Sequence, residues 1–295
     1  MAYLEDYLQR LRDVQSPDEI YSRLAQWQFD AFNSGQQAQT VENLNLTFKF
    51  GLSSPYQLQA NHLPTTAVGN LSSLVIVSAN PGYRSEVNRL EHKWRMSSAA
   101  HNADFCRSLF DVYPKALGGS TVRYWSFAIG LWKEAFLNPN DERMRLAGRS
   151  MWQEAHRSNW SIGGLDLCPF HSSKDGITSR LHLPDAKPLL AIAEESLRLI
   201  CRMPQSRSLD NIVPRRLILV ASARGQKLVG GLAEEGTLKL VDAAFGPPQW
   251  KLMLWEGTHG NLVLSTSYQL LSRMPRGCKR IDLARLIRQA VDLPY

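Results

Sequence analysis

The stretch from Leu74 to Glu86 reads LVIVSANPGYRSE, an aliphatic run that stops at Asn80, Pro81 and Gly82. Pro81 has no N–H for a sheet ladder and biases Asn80 toward an extended backbone, while Gly82 lets the chain turn closely around a bound group. An asparagine held in that way can orient a water through its side-chain carbonyl. The same three residues also suit a plain turn. A second candidate is Asp166 in GLDLC, whose carboxylate can accept hydrogen bonds from an amine, pair with an arginine or cap a turn. His171 follows three residues after Cys168 and can line the same pocket or serve the core. Tyr83 and Phe105 offer aromatic faces, for stacking or for packing. Arg84, Lys174, Arg224, Lys227, Arg273 and Arg276 are able to neutralise phosphates if they share one mouth, and are solvated surface charges otherwise.

Four apolar runs bring such residues together: LVIVSA (74–79), IGGLDLC (162–168), RLILVAS (216–222) and NLVLST (261–266). Each reads as a buried strand. Helix-like segments lie between them, including VRYWSFAIGLWKEAF and AKPLLAIAEESLRLICRM, in which Leu190, Ala193, Leu197 and Ile200 share a face. The alternation predicts an α/β fold, three-layer α/β/α, with a central, mainly parallel four-stranded sheet. In such sheets the working residues sit just past the carboxyl ends of the strands. Ahead of this part the pattern is helical. Ser16, Pro17 and Glu19 in SPDE form a start signal, and Ile20, Leu24, Trp27 and Ala31 then fall on one face. A polar stretch from Asn33 to about Thr40 closes that unit, and irregular or short extended structure is expected through NLNLTFKFGLSSPYQL. The expected division is a helical extension over 1–66 and an α/β domain over 67–295.

Composition narrows the partners. A chain of 295 residues with 44% hydrophobic content builds a real core, and 34 Lys and Arg against 27 Asp and Glu give a formal net charge of +7, which favours a polyanion. The first residues, MAYLEDYLQRLRDVQ, lack the apolar centre of a signal peptide, and no run approaches the roughly 18 apolar residues of a membrane span. A cytoplasmic protein is expected. Cys106, Cys168, Cys201 and Cys278 are scattered without a CxxC pair, so reduced thiols are expected, with no metal cluster and no cofactor.

Ser78-Ala79-Asn80-Pro81-Gly82 resembles the first motif of the uracil-DNA glycosylase superfamily, in which a strand of the mismatch-specific branch ends in Gly-Ile-Asn-Pro-Gly. The stretch from Ser265 to Arg273, STSYQLLSR, is similar in position and outline to that superfamily's last motif, a His-Pro-Ser or Asn-Pro-Ser loop that enters the minor groove. It keeps only the final Ser of the triplet, Ser267. The resemblance spans roughly residues 70–275.

The resemblance implies base flipping followed by cleavage of the N-glycosidic bond, by a monofunctional enzyme that leaves an abasic site. Asn80 would position the attacking water. Tyr83 or Phe105 would stack on the flipped base, Asp166 and His171 would line its pocket, and Ser265 would stand where many relatives carry an electrophilic His. Gly82, Arg84, Ser267, Arg273 and Arg276 would hold DNA. Leu270 and Leu271 would either wedge the gap left by the flipped nucleotide or pack in the core. A carboxylate in the reading position suits the N4 amine of cytosine and opposes the O4 of uracil. Together with the missing His and the extra helical unit, this is similar to the bacterial branch that removes hypermodified cytosines, such as glucosylated hydroxymethylcytosine, from phage DNA. The inserted segment EHKWRMSSAAHNADFCRSLFDVYPKALGGS would then help to form a wide, polar pocket. An ordinary uracil or thymine mismatch glycosylase, and a non-catalytic DNA-binding module of the same fold, are the alternatives.

Overall fold

A computed structural model describes residues 2–64, 72–78, 87–107, 123–158, 160–174, 177, 180–203, 215–268 and 274–292. Its sheet has six strands: β1 (Leu74–Ser78), β2 (Ile162–Asp166), β3 (Leu217–Ala221), β4 (Leu238–Phe245), β5 (Leu252–Gly257) and β6 (Leu262–Thr266). Their order is β2-β1-β3-β6-β5-β4. The first four in that order are mutually parallel and coincide with the four apolar runs. Central parallel strands lie between layers of chain on both faces, so every side chain must be apolar or satisfied. Accordingly β3 and β6 are buried at every position.

The expectation of four strands is corrected to six, because β4 and β5 extend the sheet in antiparallel fashion. β4 escapes a search for buried runs because only Leu238 and Phe245, its two ends, are buried. It is the open edge of the sheet, and its pairing with β5 is interrupted by register shifts on either side of Asp242, which is how exposed edges are commonly blunted. The order of strand addition reverses between β1 and β3. From β1 the chain crosses to β2 on one side, and from β3 it proceeds to β4, β5 and β6 on the other, so a crevice is expected at the carboxyl ends of β1 and β3.

The N-terminal part is helical: α1 (Ala2–Asp13), a turn at Pro17–Glu19, a π-helical run Ile20–Leu24, α2 (Ala25–Asn33) and α3 (Gln36–Thr47). At the start signal the Glu19 carboxylate accepts from the Gln15 N–H at 2.7 Å, one residue ahead of the expected Ser16 cap. Ile20, Leu24 and Ala31 are buried, and Trp27 stacks on Tyr3 with ring centroids 5.2 Å apart. α3 replaces the polar end of the unit and the first residues of the expected irregular stretch, which is irregular from residue 48 to 58 as expected. Gly35, at φ +80°, makes the turn that glycine adopts without steric cost. The buried face of α3 is Gln37, Thr40, Val41, Leu44 and Asn45, at helical spacing but half polar, so no hydrophobic period marks it. Asn45 uses both ends of its amide on Leu58, donating to its carbonyl at 2.9 Å and accepting from its N–H at 2.8 Å.

The remaining helices are α4 (Val87–Arg95), α5 (Ala99–Arg107), α6 (Arg123–Phe136), α7 (Gly148–Arg157), α8 (Lys187–Arg202), α9 (Ala223–Glu234) and α10 (Arg280–Ala290). α6 and α8 cover the two long helical segments read from sequence. A Cβ on Gly164 of β2 would come within 3.0 Å of the Trp125 ring, so the missing side chain lets α6 lie directly on the strand. α8 carries the N-terminal unit. Arg202 donates to the carbonyls of Leu11 at 3.2 Å, Arg12 at 3.3 Å and Val14 at 3.1 Å, closing the carboxyl end of α1. No helix among the described residues is long and apolar enough to cross a membrane.

Candidate active-site mouth

The parallel strands end together. Ser78 pairs with Asp166, and Ala221 pairs with Thr266; the Val77–Val220 pairing joins the two ladders. Asp166, Ser78, Ala221 and Thr266 therefore form one row across the carboxyl edge, with their side chains on one face. The row behind it is Leu165, Val77, Val220 and Ser265, and it faces the other way.

Two of these edge residues meet polar groups from helices. The Ser78 hydroxyl bonds the Tyr124 phenol at 2.9 Å, and Tyr124 is braced edge-on by Trp125 at 4.7 Å. Asp166, partly exposed at the strand end, has its carboxyl pushed up to about 7, first by desolvation and then by the Glu91 carboxylate. Tyr124 is held neutral by burial and by Asp166 nearby. At neutral pH Asp166 thus exchanges between an acceptor-only carboxylate and a carboxylic acid with one O–H to donate. A carboxyl shifted toward the working pH at the carboxyl end of a parallel strand makes Asp166 a functional-site candidate, although buried structural networks shift carboxyls in the same way.

Glu91 belongs to a buried network centred on Arg95, which is 1% exposed. The guanidinium reaches Glu91 at 3.4 Å, Asn102 Oδ1 at 3.0 Å and the Pro64 carbonyl at 2.8 Å, and lies 4.1 Å from the centre of the Phe105 ring. Asn102 in turn donates to the Ala25 carbonyl at 2.9 Å. The network joins α4, α5 and the N-terminal unit behind the exits of β1 and β2. Phe105 is part of that interior, with its face on Arg95, and is not presented to a pocket.

His171 is also interior. It belongs to a cluster in which His62 stacks on His92 with centroids 4.4 Å apart and lies 5.2 Å from His171. Desolvation leads in lowering all three, to about 4 for His62, about 3 for His92 and well below the ordinary value for His171, and Arg95 adds to each. The rings are neutral at physiological pH. The segment before residue 64 is clipped to the core by the Leu63 N–H, which donates to His92 Nδ1 at 3.2 Å, and by the Gln59 N–H, which donates to the His171 backbone carbonyl at 2.9 Å. The Lys174 N–H donates to the Pro55 carbonyl at 2.7 Å, so the loop after β2 is backed by the N-terminal segment. Among the described residues no set of three His, Cys, Asp or Glu side chains is arranged to hold a metal ion.

At the exit of β6, Ser265 is fully buried and its hydroxyl accepts from Trp255 Nε1 at 2.9 Å. It faces β5 within the protein, which removes it from the mouth that sequence reasoning assigned to it. Ser267 is partly exposed at the bend just past β6. Arg276 is exposed on the turn before α10, Lys174 and Lys227 are exposed, and Arg224 is partly buried at the start of α9. Asn80, Gly82, Tyr83, Arg84 and Arg273, together with Leu270 and Leu271, lie outside the described residues.

Sequence reasoning missed Tyr124 and Glu91. Both come from helices remote from β2 in the chain, and nothing in their spacing connects them to Asp166. No protein-family model matches the chain, and neither a curated protein nor a solved structure matches it.

Proposed function

We propose that this protein is a DNA glycosylase that flips a cytosine-type base out of phage DNA and hydrolyses its N-glycosidic bond, in antiviral defence. The observation that carries the reading is the pairing of Ser78 with Asp166 at the carboxyl edge. Asn80 follows Ser78 by two residues, a span of at most about 7 Å of chain, and on this reading the motif asparagine serves the same mouth as the carboxyl. On this reading the α/β fold is a three-layer arrangement, with helices on both faces of the sheet and the DNA along its carboxyl edge.

In the reaction the bond between C1′ and the base nitrogen breaks, and its electron pair departs with the base. Water oriented by the Asn80 carbonyl adds its oxygen to C1′, and the departing base ends protonated, leaving an abasic sugar. Asp166 reads the exocyclic edge of the base. As a carboxylate it accepts from the N4 amine of cytosine. Tyr124, fixed by Ser78 and Trp125, walls the pocket beside it, and Tyr83 stacks on the base.

One observation favours a second reading. The raised Asp166 carboxyl is protonated in part of the population at neutral pH, and its O–H would suit the O4 of uracil, as in a uracil or thymine mismatch glycosylase. Phage DNA carrying glucosylated hydroxymethylcytosine, the same DNA without sugars, and a uracil-containing duplex separate these readings. The purified protein should make alkali-labile sites in the first most rapidly, with or without a metal chelator. Faster release of uracil would establish the second reading, and release from none of them would overturn both.

A further inference from the structure

The β4–β5 hairpin, which sequence patterning did not reveal, brings a corner of chain to the mouth. β5 runs antiparallel to β6, with Met253 opposite Ser265, and Leu252 is opposite Phe245 of β4. Residues 246–251 therefore turn at the carboxyl edge, directly beside the exit of β6. The corner is fixed on three sides. Trp250 is 1% exposed. Its carbonyl accepts from the Thr266 hydroxyl at 2.8 Å, and the same hydroxyl accepts from the Tyr268 N–H at 3.3 Å. Gly246, at φ +74°, lies against Leu286 of α10, where a Cβ would come within 2.6 Å of a methyl carbon.

Lys251 ends this corner. It is exposed and holds a left-handed backbone, φ 47° and ψ 45°, a conformation that L residues other than Gly, Asn and Asp seldom adopt. Such strain persists only where the surroundings fix it, and it concentrates at functional sites. The conformation sends its ammonium 5.8 Å above the centre of the Tyr268 ring, one residue past Ser267. Among the described residues Lys251 has no ion-pair partner. A glycine would serve the backbone there without strain. The cation is the property that the lysine adds.

We infer that the corner 246–251 is a second wall of the DNA-binding mouth, with Lys251 contacting a backbone phosphate beside Ser267 and Tyr268 at the exit of β6. The inference rests on the proposed DNA partner and adds a contact surface to it. The Tyr268 face keeps the ammonium above the exit, where a phosphate can be met without reordering a long side chain. Lys239 makes the natural control: it is exposed on the same hairpin but stands opposite Glu256 in the β4–β5 ladder, toward the other end of the sheet.

The test is the salt dependence of binding to an unmodified duplex, for the intact protein and for Lys251→Gln, Lys251→Gly and Lys239→Gln. One phosphate contact contributes about 0.9 to the slope of log affinity against log salt. Both Lys251 variants should lower the slope by about one, so that the affinity lost between about 50 and about 200 mM salt shrinks by roughly threefold. Lys239→Gln should leave it unchanged. Because glycine relieves the backbone, Lys251→Gly also excludes misfolding as the cause. Unaltered slopes in both Lys251 variants, or no DNA binding by the intact protein, would overturn the inference. Steep binding that depends on Lys251, without base release from any substrate, would uphold this surface and sink the glycosylase reading.

Discussion

Ser78 and Asp166 face each other across the β1–β2 ladder, and the Ser78 hydroxyl bonds Tyr124 at 2.9 Å, a phenol kept neutral first by burial and then by the Asp166 charge. A strand end that presents a hydroxyl, a phenol and a carboxyl on one face offers both donors and acceptors to a planar heterocycle. Asp166 is the member of this trio whose state changes near neutrality.

On the proposed reading, base selectivity follows the charge of Asp166. Asp166→Asn should lose roughly 1 to 3 kcal/mol of transition-state stabilisation on a cytosine-type substrate, the value of one good base contact, and should gain on uracil, whose O4 accepts from the new amide. In the intact protein the cytosine-to-uracil rate ratio should rise as pH increases through about 7. Single-turnover rates on both substrates between about pH 6 and pH 8 check this. If both activities fall together in the variant, Asp166 is a scaffold residue.

Stability should report the same carboxyl. Its value in the folded protein lies above the ordinary 3.8, so the folded state keeps the proton after the unfolded chain has released it. The stability linked to this group is greatest below about pH 4 and is lost as pH rises through about 7. Asp166→Asn should thus melt higher than the intact protein at pH 8, by at least the roughly 2 °C that about 1 kcal/mol produces in a chain of this size, with the gap closing near pH 4. A constant gap across that range would show that the carboxyl is not desolvated.

The histidine cluster acts with the opposite sign. Its rings are neutral in the folded state, with His62 lowered to about 4 and His92 to about 3, whereas unfolded histidines take up protons near pH 6.5. The stability they contribute is complete above about pH 6.5 and is lost progressively as pH falls toward 4. His92→Phe keeps a ring on His62 but cannot protonate. It should cost about 1 kcal/mol at pH 7 through the lost acceptor for Leu63, yet flatten the decline in melting temperature between pH 6.5 and 4. A decline as steep as that of the intact protein would assign acid sensitivity to other groups.

What the sequence made legible follows from burial. β1, β2, β3 and β6 are covered on both faces, so their composition alone marks them, and Asp166 at the end of β2 stands out as the polar residue closing an apolar run. β4 has six exposed positions and α3 a half-polar buried face, so neither carries a hydrophobic period. At the site, residue type could not reveal direction. Ser265 and Thr266 are adjacent hydroxyl residues on one strand, and the period of two sends Ser265 to Trp255 while Thr266 joins the edge row. Phe105 and His171 look like pocket residues until Arg95 and His62 are found beside them. Both partners come from segments that nothing local connects to them.

Asn80's proposed role is to orient the water that attacks C1′. Its most direct test is the single-turnover rate of abasic-site formation by Asn80→Ala on glucosylated phage DNA, read as strand breaks after alkali, with DNA affinity and melting temperature measured on the same preparations. The account predicts that the rate falls at least about a hundredfold, a loss of about 2.7 kcal/mol at 1.36 kcal/mol per tenfold, while affinity and melting temperature stay close to those of the intact protein. An unchanged rate, or a rate that falls only in step with lost folding, would contradict it and return Asn80 to the role of a turn residue.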